Sequence, residues 1–163
     1  ERSPNRVKRL ILVSPAVESQ KLPFLLRTSI GKRLAYTLTR FVLSRPGRFR
    51  KLLARAFHQA DKLTAEDAEA YRTRLLVEGL PRAFRGFGCA MAGGEPPLPL
   101  DPTELHLPVV VVGGVHDRIV KPDSLRKLEA RLPESQLVLL DDCGHSAPEE
   151  EPGKIAAIIL AGL

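Results

Sequence analysis

Two runs of β-branched and aliphatic residues, each ending in a short polar loop, constrain this chain more than any other feature. The first, Pro108 to Val112, leads into Gly113-Gly114-Val115-His116-Asp117. The second, Leu137 to Leu140, leads into Asp141-Asp142-Cys143-Gly144-His145-Ser146. Near-continuous apolar runs of this kind read as strands covered on both faces. Between them, Pro122 to Leu132 carries one short amphipathic helical pattern. Strand, helix and strand then form a parallel unit, because a same-direction return needs a connection of roughly a dozen residues. The crossover is expected to be right-handed and the strands to be neighbours about 5 Å apart. Asp117 and His145 then leave the same carboxyl edge, where open α/β sheets place their ligands. An acid beside an imidazole supplies two members of a hydrolytic triad.

A third apolar run, Val7 to Pro15, predicts another covered strand. Three parallel strands make a small sheet with exposed edges, so further sheet is expected upstream. The chain then reads as the C-terminal part of a larger domain. Its 163 residues and 44% hydrophobic content can support one sizeable core. Two cysteines are too few for a disulfide-stapled fold and fit a reducing compartment. The charged opening residues lack a secretory apolar region, and the Ile155–Leu163 stretch is about half the roughly 20 residues a membrane helix requires. A soluble, cytoplasmic protein is expected.

Between the first and second strands the periodicity becomes helical. Ile30, Leu34, Ala35, Leu38 and Phe41 form one apolar stripe, and Phe49, Leu52, Leu53, Ala56 and Phe57 form a second. Thr64-Ala65-Glu66-Asp67 resembles a capping box with Asp in place of Glu, opening a helix to about Glu78. A poorer helix covers Pro81 to Met91, and the Pro/Gly-rich 92–102 stretch returns the chain to the strands. The insertion starts after one strand's carboxyl end and finishes before the next strand. It is therefore expected to cover the edge carrying Asp117 and His145 as a lid.

Together these pieces resemble the second half of an α/β-hydrolase-fold enzyme with an inserted helical cap. Val7 to Pro15 is similar to the strand after the family's nucleophile-bearing strand and helix. Leu107 to Val120 is similar to the strand and turn that present the catalytic acid, and Asp142 to Ser146, followed by Glu150-Glu151-Pro152, to the catalytic-histidine loop and the opening of the family's last helix. The resemblance implies an α/β fold of parallel strands with crossover helices plus an all-α cap. Residues 1–15 and 104–163 would form the core, and residues 16–103 the cap with its return linker. The family's G-x-S-x-G elbow does not occur in these residues, so the resemblance places the nucleophile before Glu1. Gly113 and Val115 stand where relatives often carry an aromatic and a Glu.

The resemblance implies catalytic roles for Asp117 and His145, with a small-molecule, ester-like apolar substrate and no cofactor. An upstream Asp nucleophile would instead give an epoxide hydrolase, in which Tyr36 or Tyr71 of the cap polarises the epoxide oxygen. Either tyrosine reads equally as half-buried helix packing. A truncated, non-catalytic binding protein is the third reading. Zinc held by His116, Asp117, Cys143 and His145 is disfavoured, because adjacent residues in an extended segment point to opposite sides. Cys143 sits too near His145 in sequence to be its nucleophile, and Ser14 lacks the flanking glycines an elbow needs. Every charged residue between Gln20 and Ala60 is Lys or Arg, which allows weak contact with a membrane surface. No nucleic-acid motif or stacking platform accompanies that charge.

Overall fold

The computed structural model describes residues 6–16, 41–76 and 101–161, with residues 28, 31, 34 and 37 between them. The elements in chain order are β1 (Leu10–Val13), α1 (Pro46–Leu53), α2 (Ala65–Arg74), β2 (Val109–Gly114), α3 (Pro122–Glu129), β3 (Ser135–Leu140), α4 (Ala147–Glu150) and α5 (Pro152–Leu160). The strands form one parallel sheet in the order β1-β2-β3, with Leu12 opposite Val111 and Val111 opposite Leu137. The fold is the α/β arrangement that the apolar runs predict.

Central position explains the burial of β2, whose six residues are all buried. One face, with Val109 and Val111, packs on Leu125, Leu128 and Leu132 of the α3 region. The other face, with Val110 and Val112, packs on Cys143, Ala147 and Ile155. Alternate residues of a strand point to opposite faces, so an unbroken valine run suits a strand with apolar layers on both. At β1, by contrast, all four residues are only partly covered. Ser14, just past it, takes a left-handed φ of 44° and anchors its N–H on the Val112 carbonyl at 2.8 Å.

The chain divides into two compact units: residues 1–17, 55–62 and 100–163, and residues 18–54 and 63–99. Within the second, α1 packs on α2. The expected capping box is present at the start of α2: Asp67 N–H donates to Thr64 Oγ1 at 3.0 Å, and Thr64 N–H to Asp67 Oδ2 at 3.3 Å. Phe49 is buried, whereas Leu34, Phe41 and Leu52 from the same apolar stripes are about half exposed. Arg48 lies 3.7 Å over the Phe41 ring, and Arg50 donates to the Leu63 carbonyl at 2.9 Å. Two of the basic residues are thereby engaged locally. The expected helix over Pro81–Met91, the end of α2's pattern at Glu78, and Tyr36 lie outside the described residues.

Residues 55–62 belong to the strand-containing unit although they interrupt the helical stretch. The periodicity of Phe49 to Phe57 predicts one continuous helix there. Instead α1 ends at Leu53, and Ala54–Ala56 tighten into a 3₁₀ turn. No helix among the described residues is long and apolar enough to cross a membrane.

Candidate active site

At the carboxyl edge of the sheet, backbone hydrogen bonds stitch the loops after β2 and β3 together. Val115 N–H donates to the Leu140 carbonyl at 2.9 Å, and His116 N–H to the Cys143 carbonyl at 3.0 Å. A side chain at Gly114 would strike the carbonyl oxygens of Cys143 and Gly144, so the approach requires glycine. The Asp117 N–H closes a tight turn onto the Gly114 carbonyl at 3.2 Å. That turn points the Asp117 side chain inward.

Both Asp117 oxygens are engaged. Oδ1 accepts from Ile119 N–H at 2.7 Å and Val120 N–H at 2.8 Å, while Oδ2 faces His145 Nδ1 at 2.9 Å. An ionised carboxylate can only accept, so Nδ1 carries the hydrogen and Nε2 is left as the basic nitrogen. The Asp117 side chain is fully buried, whereas that of His145 remains 30% exposed. Solvent-side groups can thus reach the imidazole but not the carboxylate behind it.

The electrostatics follow this geometry. Burial pushes the Asp117 carboxyl up, but the His145 hydrogen bond and the Val120 and Ile119 N–H groups outweigh it and hold the group below its usual range. The hydrogen bond to Asp117 raises His145 above an ordinary histidine, against the opposing effect of burial. Burial, reinforced by the negative charges of Glu150, Glu151 and Asp117, pushes the Cys143 thiol up to about 12. A thiol so protonated is a poor nucleophile. His116 stands apart from the pair's hydrogen bonding, its ring stacked on that of His58 at 3.8 Å between centroids and 11° between planes. Among the described residues, no group of three or more His, Cys, Asp or Glu side chains is arranged to hold a metal. Tyr71 lies half-buried on α2 in the other unit.

A second buried carboxylate, to which the sequence gives no role beyond the opening of the last helix, shapes the histidine loop. Glu150 ends α4 and is 1% exposed. Its Oε1 accepts from Gly144 N–H at 2.8 Å, and its Oε2 from His58 N–H at 2.7 Å and Gln59 N–H at 2.9 Å. The Ala56 carbonyl in turn accepts the His145 N–H at 2.7 Å, and Gln59 Nε2 donates to the Asp142 carbonyl at 2.7 Å. Lys62 Nζ donates to the Glu150 carbonyl. A Cβ on Gly144 would lie 2.6 Å from His58 N, 2.7 Å from Ala56 O and 2.9 Å from Glu150 Oε1. Only the missing side chain lets the 55–62 segment seat so closely.

A parallel β/α core with an acid–imidazole pair at its carboxyl edge defines a class of hydrolytic folds. The model of the alpha/beta hydrolase fold matches residues 1–152, and the chain belongs to that family. Among solved structures, it is similar to 2-hydroxy-6-oxo-6-phenylhexa-2,4-dienoate hydrolase (BphD) from Rhodococcus sp., at 22% identity and a TM-score of 0.73, covering 98% of this chain and 56% of that one. The meta-cleavage product hydrolase CumD of Pseudomonas fluorescens gives 18% identity and a TM-score of 0.69, with 98% and 57% covered. A thermophilic esterase from Thermogutta terrifontis gives 21% identity and a TM-score of 0.65, with the same coverage of 98% and 57%. These likenesses concern the fold, and the chain spans somewhat over half the length of each structure. No curated protein matches it significantly.

Proposed function

We propose that the whole protein is a hydrolase of a small or medium apolar ester or related acyl compound, with His145 as general base and Asp117 as the acid that orients it. The observation carrying this reading is the 2.9 Å Nδ1···Oδ2 bond between a partly exposed imidazole and a fully buried carboxylate. That bond fixes the tautomer that leaves Nε2 to take a proton, and it stabilises the imidazolium once formed. The nucleophile, a serine hydroxyl, comes from the part of the fold that lies outside this chain. It attacks the substrate carbonyl as its proton passes to Nε2; the imidazolium hands that proton to the departing alkoxide, and the neutral His145 then takes a proton from the water that releases the acyl group. The helical stretch between β1 and β2 selects the substrate.

Turnover of a short-chain aryl ester by the whole protein tests this reading. Hydrolysis that disappears in His145→Ala is the expected result. Full turnover in that variant, or none in the unaltered protein, contradicts it. Epoxide opening with an aspartyl intermediate would move the reading to the epoxide class.

A further inference from the structure

Glu150 is buried, charged and has no part in the proton transfer assigned to Asp117 and His145. Among the described residues no Lys or Arg side chain pairs with its carboxylate; its two oxygens take three backbone N–H groups instead. Two of those groups belong to the 55–62 segment and one to the loop that carries His145. An ionised acceptor makes stronger hydrogen bonds than a neutral one, and burying a carboxylate is costly unless such donors compensate it.

We propose that Glu150 is the positioning residue of the Asp117–His145 pair, locking the 55–62 segment against the histidine loop so that the Ala56 carbonyl fixes the His145 backbone. The proposal rests on the reading of that pair as a general base and its orienting acid. The path is short and continuous. Oε2 gathers His58 and Gln59, which sets the preceding turn and aims Ala56 O at His145 N–H, 2.7 Å away. Oε1 holds the adjoining Gly144 N–H, so the histidine's own backbone is gripped from two sides. The same segment reaches the acid's loop, because the His58 ring stacks on His116, the neighbour of Asp117. Both members of the pair are thereby referred to one segment, and a misplacement of about 1 Å in such a pair can lower turnover by roughly 100-fold.

The test combines amide exchange with NMR and kinetics on the whole protein. In the unaltered protein, the His58, Gln59 and Gly144 amides are expected to be protected together and to open with one common free energy. In Glu150→Ala, the downfield Nδ1 proton of His145 is expected to broaden or move and its titration to fall toward that of an ordinary histidine. The kcat should drop by roughly 10- to 100-fold with KM unchanged. Glu150→Gln keeps one acceptor oxygen and should recover part of each loss. Two results overturn the proposal: fast exchange of His58 and Gln59 beside a protected Gly144, or an unchanged His145 proton and titration in a folded Glu150 variant. The exchange result needs no substitution, so it decides the matter even where Glu150→Ala does not fold. A His145→Ala protein that still turns over ester defeats the catalytic reading instead, and leaves these NMR outcomes to be judged separately.

Discussion

Asp117 and Glu150 are both carboxylates buried beside the histidine loop, yet they are used differently. Asp117 gives one oxygen to its own turn and the other to a titratable ring. Glu150 gives both oxygens to backbone N–H groups, bringing together stretches about ninety residues apart in sequence. A carboxylate that faces an imidazole can tune a proton transfer, whereas one that faces only amides can shape a loop. The contrast predicts that substitutions at the two sites separate chemistry from architecture.

The largest effect is expected at the ring itself. His145→Ala should lower kcat on an aryl ester by about ten-thousandfold or more. Architecture should respond most to Gly144→Ala, whose new Cβ meets backbone atoms at 2.6 and 2.7 Å. Neither His58 N nor Ala56 O can move alone, so a loss of about 3 kcal/mol is expected in chemical denaturation. Glu150→Ala leaves three amide donors without their acceptor and should cost about 2–3 kcal/mol by the same measurement. Comparable destabilisation in Asp117→Asn would erase the distinction drawn between the two carboxylates.

The pH profile sharpens the contrast, because the protonation state of the pair is set by one bond. General-base activity requires neutral His145, whose affinity for a proton is raised by Asp117. The acidic limb of kcat/KM should therefore lie above the ordinary histidine value of about 6.5, and should shift down in Asp117→Asn. Stability carries the matching signs. The contribution of Asp117, whose folded pKa is depressed, is present above its unfolded value and lost as pH falls through the folded one. That of His145, whose folded pKa is raised, is complete below its unfolded value and lost as pH rises through the folded one. The pair consequently stabilises the fold most at mildly acidic pH, between the two unfolded values. The smallest effect is expected at Cys143, buried and held protonated by its surroundings. It should resist alkylation in the folded protein and react only on denaturation, and Cys143→Ala should retain turnover.

The difference between the carboxylates also marks what the sequence reveals. β2, α3 and β3 are written in short-range pattern: an unbroken valine run, one amphipathic turn set and a second apolar run. Parallel pairing then brings Asp117 and His145 together without further information. Glu150 sits in the triplet Glu149-Glu150-Glu151, and the sequence marks it only as part of the opening of the last helix. The backbone donors of Gly144, His58 and Gln59 distinguish it from its neighbours. The same long-range bonds explain why helical periodicity overruns at Phe57. Ala56 O, His58 N and Gln59 N are engaged by the histidine loop and Glu150, so the helix stops at Leu53 and the backbone turns toward those partners. Tertiary hydrogen bonds replaced the local ones, and no spacing rule within the segment encodes that exchange.

The most direct measurement is kcat/KM of the whole protein and its Asp117→Asn variant on a short-chain aryl ester across pH. A buried acid that fixes the histidine tautomer demands a fall of about ten-thousandfold and an acidic limb displaced to lower pH. Turnover within a few-fold of the unaltered protein, with the limb in place, would show that the bond between Oδ2 and Nδ1 serves the loop alone and takes no part in catalysis.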